Sequence, residues 1–473
     1  MINYLFTKTP LAFFTMDLWR DEAFSFVMAK QGVMNILRTS AQDFAPPFYY
    51  IVLHYWMMIF GTSEIAMRSL SFLTYALLLF VIFEIMVLVF KISMKRALWY
   101  FLLFLANPFL NFYAFEARMY MMAALFVTLS YFALWSKKRI LYIVALSLAL
   151  YTHYFTIFIL IAQIISYYFS NSNTSLRLWR STPLIKRRII PLLKRGVAQR
   201  MLRRGVSNMF ILPILLFLPW LIYVGLNHDF SDARFWIIQP LLTDIFYTPF
   251  MLFTGYERVF GEYYHGAAGF ISFHTNINLM LIALLTLPIF FIKSVKKMKY
   301  LADLYLWAFL PALTLFILSF ISTPVYLPRY VIASVPALLL LIIISFELLV
   351  LHAPKKRAWI PFALFGVVLF VTYSYNILNV KYHAKKHVSS MYKEVQAVRD
   401  VQDVIYLMSE LDFHLAQYYI GNDVFIFGKS YGEIPQYVGK SLIPEAFVRQ
   451  SLPLYPIKAF IIHYDWYEVR SLL

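Results

Sequence analysis

Ten apolar runs, each close to the length of a bilayer crossing and separated by short polar loops, leave this chain few folds to choose from. They lie at 66–90, 97–112, 119–135, 140–152, 153–169, 208–226, 275–292, 301–321, 330–350 and 358–378. A helix that crosses the hydrocarbon core takes about 17–25 residues, and helices are one of the two backbones that can satisfy all their own polar groups in lipid. The runs at 97–112 and 140–152 are short, and topology rather than length makes them crossings. Only 14% of the 473 residues are charged, against about a quarter in a soluble domain. The solvent for most of this protein is lipid.

The formal charge of +18 suggests nucleic acid until the charges are located. They sit between the apolar runs: Lys91, Lys95 and Arg96; Lys137, Lys138 and Arg139; ten Lys or Arg and no acid in 171–207; four Lys from Lys293 to Lys299; then Lys355, Lys356 and Arg357. That is the placement expected of cytoplasmic loops, and it argues against a nucleic-acid partner. These loops share one side only if 140–169 crosses twice, with a break near Thr152–His153. The 171–207 loop is expected either to lie against anionic lipid, at roughly 1 kcal/mol per basic residue near the surface, or to be a plain topology anchor with no partner. The chain has no Cys, so disulfides and thiolate metal sites are excluded.

Parity then assigns five segments to the opposite, extracytoplasmic side: 1–65, 112–118, 227–274, 322–329 and 379–473. The expected organisation is an external segment 1–65 with interfacial amphipathic helices, a transmembrane helix domain 66–378, and a small external domain 379–473. In the last, Asp403–Ser409, Asp423–Gly428 and Lys458–His463 read as buried strands, with a helical pattern at 410–420 between the first two. Strand–helix–strand alternation predicts an α/β unit with parallel pairing. The fold class is therefore an all-α polytopic membrane protein, about ten crossings, carrying a small C-terminal α/β domain.

The external segments hold the chemistry-bearing clusters. Trp19-Arg20-Asp21-Glu22 comes first, followed by Asp43 with Pro46-Pro47 and Tyr49-Tyr50, then Gly61-Thr62-Ser63-Glu64 leading to Arg68. Adjacent carboxylates cannot share one helical face, so Asp21 and Glu22 are expected to divide the work, one facing a cavity and one structural. A carboxylate in a partly dry pocket can act as a general base. Glu116-Ala117-Arg118-Met119-Tyr120 stands where a helix re-enters the membrane, with Glu116, Met119 and Tyr120 at helical spacing. His153 marks the proposed outer break. Pro328-Arg329-Tyr330 opens another helix, where the macrodipole disfavours a cation and an anionic partner such as phosphate suits a guanidinium. Acids and cations from remote parts of the chain thus share one face. An acid to deprotonate a hydroxyl, with cations to hold a phosphate leaving group, is the equipment of glycosyl transfer from a lipid phosphate. No glycine-rich nucleotide loop is present.

The order Trp19-x-Asp21-Glu22, Asp43 with Pro46-Pro47 and Tyr49-Tyr50, Gly61-x-Ser63-Glu64, Arg68, Glu116-Ala117-Arg118-x-Tyr120, Thr152-His153-Tyr154 and Pro328-Arg329-Tyr330 resembles the GT-C superfamily of membrane glycosyltransferases. Within it the likeness is to the ArnT-like and protein O-mannosyltransferase-like group (glycosyltransferase family 39 type), over 17 to about 350. The resemblance implies a multi-pass plasma-membrane enzyme of cell-envelope glycosylation, a hexosyl- or pentosyltransferase. It implies a polyprenyl-phosphate sugar donor, inversion at the anomeric carbon, and a lipid, glycan or protein hydroxyl as acceptor. Asp21 would be the general base, supported by Glu22. Asp43, Arg68, Glu116, Arg118, Tyr120, His153, Arg329 and Tyr330 would contact substrate, with Arg118, His153 and Arg329 holding the lipid phosphate. No cofactor is required; a divalent metal, where used, would sit on Glu116. In that family a first helix precedes the Asp-Glu loop, whereas Met1–Thr15 is too short to span; either the chain begins at an internal Met, the favoured expectation, or its N-terminus is external.

Two other readings stay open on the residues alone. A membrane transporter or flippase of lipid-linked substrates would need ionisable groups within the crossings, and Glu84 is the one acid well inside a run. A non-catalytic subunit presenting the C-terminal domain would tolerate Asp21→Asn.

Overall fold

The computed structural model describes residues 2–171, 207–229, 236–256, 258–291, 300–382 and 388–472. The four-lysine stretch 293–299, and all but the end residues of the basic loop 171–207, lie outside them.

Every one of the ten apolar runs falls on a helix. Among the described residues, five helices are long and apolar enough to cross a membrane: Glu64–Val89, Met209–Asn227, Leu301–Ile321, Pro328–His352 and Lys355–Val380. The run 97–112 is a bent pair, Met94–Ala106 and Pro108–Ala114, turning by 64°. The remaining four runs are shorter apolar helices, Tyr120–Trp135, Arg139–Thr152, Tyr154–Tyr168 and His274–Phe290. The architecture is that of a multi-pass membrane protein, with five spans by length and composition, or six with the bent pair.

Two breaks shape the bundle. The expected one is present: the Arg139–Thr152 helix ends at an extended His153, and a short turn at Tyr154–Thr156 leads into the Ile157–Asn171 helix. The other lies at Asn107–Pro108, where proline cannot continue the preceding helix. Side-chain amides replace the lost backbone pairing. Asn107 Oδ1 accepts from Leu110 N at 2.9 Å, while its Nδ2 donates to Phe253 O at 2.8 Å. Asn111 and Asn376 bond to each other at 3.1 Å, and Asn379 donates to Pro108 O and Thr254 O. Such buried amides are tolerable in lipid because each finds a partner. At the centre stands Pro328–His352, 78% of whose most apolar stretch is enclosed.

The first 65 residues do not all lie flat in an interface plane as expected. The Arg20–Lys30 helix buries Glu22, Ala23, Ser25, Phe26, Met28 and Ala29, so it is enclosed on several sides. Its apolar residues share one core with Tyr49, Tyr50, Leu53, Met67 and with Val388, Tyr392, Ile405, Phe413, Val424 and Phe460 of the C-terminal domain. That domain is a five-stranded sheet in the order β3-β2-β1-β4-β5. Strands β1 (Val404–Leu407), β2 (Val424–Phe427) and β4 (Ala459–His463) occupy the three predicted runs, and both neighbours of β1 are parallel to it. The two-residue β3 (Val448–Arg449) and the antiparallel β5 (Trp466–Arg470) close the edges. A Phe413–Tyr419 helix follows β1. Polar contacts tie the domain to the N-terminal segment: Asp17 caps the Val388–Val398 helix through Ser389 N and Oγ, both at 2.8 Å, and Tyr419 receives Leu18 N at 2.9 Å.

Candidate functional site

The five segments assigned by charge parity to one side all meet at a single cavity of ≈ 420 Å³. Asp21 and Asp43 come from the first, Arg118 from the second, Trp236 from the third, Arg329 from the fourth, and His414 with Tyr437 from the C-terminal domain. The break at His153 contributes as well.

Asp21 sits in the first turn of the Arg20–Lys30 helix, whose positive end favours a carboxylate. Its side chain remains 36% exposed, and Arg329 Nη1 approaches Oδ2 at 3.4 Å. Arg329 itself is buried, with its guanidinium 5.0 Å from the Trp236 ring centre and 5.9 Å from that of Trp19. Arg118 Nη1 donates to the Asp21 carbonyl at 3.2 Å and to Ser25 Oγ at 3.3 Å, and its Nε has no hydrogen-bond partner among the described residues. A half-buried guanidinium with a buried spare donor is a ready anion site. The helix expected to run through Glu116 is absent: residues 115–119 form a turn, Arg118 N donates to Glu116 O at 2.7 Å, and helix resumes at Tyr120. That turn is what aims Arg118 at Asp21.

Across the cavity Asp43 is half-buried, with Ser441 Oγ donating at 3.4 Å. Burial pushes its carboxyl up to about 8, against the opposing pull of the Ser441 bond and the Arg118 charge. His153, between its two helices, packs near Tyr120 and Tyr330. Burial lowers His414 to about 4.

Seven sequence-predicted site residues therefore line the cavity: Asp21, Asp43, Arg118, Tyr120, His153, Arg329 and Tyr330. Glu22, Arg68 and Glu116 do not, and this corrects their assignment to the site. One residue on from Asp21, the helix turns by about 100°, so Glu22 faces the core. It is fully buried against an equally buried Arg68, whose Nε and Nη2 reach its two oxygens at 2.8 and 2.7 Å. With its fork spent there, Arg68 cannot reach a substrate. Glu116 is fully buried too, and among the described residues no group of three His, Asp or Glu side chains is placed to hold a metal.

Other lining groups were given no role in the sequence. Arg20 forks onto Asp412 at 2.6 and 3.1 Å, joining the cavity wall to the C-terminal domain. Phe44, in a left-handed conformation (φ 51°), stacks near Tyr154 and His228. Tyr437 and Gln436 reach in from the C-terminal domain, where no pattern in the chain marks them.

No family model and no curated protein matches the chain. Solved structures do. The apo crystal structure of ArnT from Cupriavidus metallidurans is similar with a TM-score of 0.57 at 12% identity, covering 94% of this chain and 88% of that one. The crystal structure of the same protein bound to undecaprenyl phosphate gives a TM-score of 0.53 at 12% identity, covering 96% and 91%. The chain shares the fold of ArnT over nearly its whole length.

Proposed function

We propose that this protein is an inverting membrane glycosyltransferase that moves a sugar from a polyprenyl-phosphate donor to an acceptor hydroxyl at the extracytoplasmic face. The observation that carries the reading is the placement of Asp21, with its carboxylate open to the cavity, between the guanidinium groups of Arg118 and Arg329. The shared fold supports it, as does the binding of undecaprenyl phosphate by the ArnT neighbour.

In this reading Arg118 and Arg329 hold the donor phosphate through charge-assisted hydrogen bonds. Asp21 accepts the proton of the acceptor hydroxyl as its oxygen attacks the anomeric carbon. The bond from that carbon to the phosphate oxygen breaks, and its electron pair leaves on the polyprenyl phosphate. The two guanidinium groups neutralise the charge that builds there. A single displacement inverts the anomeric centre. The positive charge comes from side chains, so no metal is needed, and turnover is expected to be unchanged by EDTA.

The test is release of undecaprenyl phosphate from a panel of undecaprenyl-phosphate hexoses and pentoses. Asp21→Asn should lower turnover by about 10²–10⁴-fold, the usual contribution of a positioned base. Equal turnover by both proteins would remove Asp21 as the base.

A further inference from the structure

We propose that the buried Glu22–Arg68 ion pair is a positioning bracket that holds the base Asp21 and the phosphate-binding Arg118 in fixed register. The proposal rests on the transferase reading above.

Glu22 is the covalent neighbour of Asp21, and Ala117 is that of Arg118. Glu22 Oε1 accepts from both Arg68 Nε (2.8 Å) and Ala117 N (2.9 Å). Its Oε2 accepts from Arg68 Nη2 at 2.7 Å and from Trp19 N at 3.5 Å, where it caps the helix that carries Asp21. The rest of the Arg68 fork donates to the carbonyls of Phe14, Met16 and Asp17, fixing the strand of chain that leads into that helix. Arg118 then closes the circuit by donating to the Asp21 carbonyl at 3.2 Å. From Asp21 through Glu22 and Ala117 to Arg118 and back, every link is a covalent bond or one hydrogen bond.

Burial alone does not explain such a pair. Apolar residues of similar volume often replace a buried ion pair without loss of stability. They could not, however, accept from Ala117 N while donating to three backbone carbonyls. The pair therefore supplies directional restraint, and it does so at the two turns whose side chains the reaction needs. Lysine retains the charge of Arg68 but not the planar fork. A displacement of about 1 Å at reacting groups can cost on the order of 10²-fold in rate.

The experiment uses the full chain in lipid nanodiscs and compares wild type, Asp21→Asn, Arg68→Lys and Glu22→Gln on the undecaprenyl-phosphate sugar panel. Thermal melting establishes the folded fraction, and tryptophan fluorescence (Trp19 and Trp236 flank Arg329) follows binding of undecaprenyl phosphate itself. The bracket predicts that folded Arg68→Lys and Glu22→Gln lose about 10- to 100-fold in kcat, with donor KM and undecaprenyl-phosphate affinity within about twofold of wild type. Wild-type kcat in both variants overturns the proposal. A loss that disappears once corrected for folded protein reduces the pair to a stability element, which overturns it equally. If Asp21→Asn is as active as wild type, or wild type is silent on every donor, the transferase reading falls and takes the bracket with it. An inactive Asp21→Asn beside fully active Arg68→Lys and Glu22→Gln removes the bracket alone.

Discussion

Arg118 and Arg329 both reach Asp21, one at its backbone carbonyl and the other at its carboxylate. Arg329 lies 3.4 Å from Asp21, longer than a good charge-assisted contact, and Arg118 spends its Nη1 on a carbonyl and a hydroxyl. In the proposed reaction both hold the phosphate, and Arg118 Nε has no hydrogen-bond partner among the described residues. Removing either as Arg→Ala should weaken undecaprenyl-phosphate binding by about 10- to 100-fold, the equivalent of one hydrogen bond to a charged group, measured by tryptophan quenching. Asp43 behaves differently. In the unfolded chain it titrates near the ordinary carboxylate value of 3.8, whereas in the folded protein burial lifts it to about 8. The folded state thus holds a proton the unfolded state releases, so its contribution to stability is complete below about pH 4 and is lost as pH rises through about 8. The melting temperature of wild type should fall between about pH 5 and about pH 9, and Asp43→Asn should flatten that slope. At this scale the sequence was legible where residue type alone carried meaning. Asp21, Arg118 and Arg329, singled out by residue type, line one cavity, and Asp21 and Glu22, being adjacent, face different ways. Arg68 was misread because a buried structural arginine and a phosphate-binding one look the same in a string of letters.

The elements that aim these residues are breaks and turns more than regular helix. The bend at Asn107–Pro108 depends on asparagine side chains, and Asn107→Ala would leave Leu110 N and Phe253 O without their partner. Stranding buried polar groups costs about 1–3 kcal/mol each, so a clear fall in melting temperature is expected, with donor KM unchanged in the folded fraction. Gly439 is a second sensitive point. It holds φ at 78°, and a Cβ there would come within 2.7 Å of Phe24 and 2.8 Å of His414 Nε2. Gly439→Ala should therefore push on the cavity wall and lower kcat/KM by more than it lowers stability, read by steady-state turnover against melting. Such features escaped the sequence reading for a physical reason. Helical spacing predicted one face for Glu116, Met119 and Tyr120, yet residues 115–119 leave the helix because their backbone is spent on tertiary bonds, Ala117 N to Glu22 and Glu116 O to Ser71. In contrast, the break at Thr152–His153 was legible, because only a double crossing there keeps the basic loops on one side.

For the whole molecule the informative signal was the distribution of charge. Parity grouped five distant segments on one side, and those same segments wall one cavity. Long-range packing was not legible: nothing in the chain announced that Leu411, His414 and Tyr437 of the α/β domain would close the site, or that this domain and the N-terminal helices share one core. The absence of Cys makes the sidedness directly measurable. A membrane-impermeant maleimide applied to intact cells should label a cysteine placed at the fully exposed Val401 in the C-terminal domain and spare one at the exposed Lys95. The reverse pattern would turn the proposed orientation over. The most direct test of the account is a structure of the full chain solved with undecaprenyl phosphate. It should place the phosphate within hydrogen-bonding reach of both Arg118 and Arg329, facing the Asp21 carboxylate across the cavity. A phosphate bound away from that pair, or with Asp21 turned off the cavity, would contradict it.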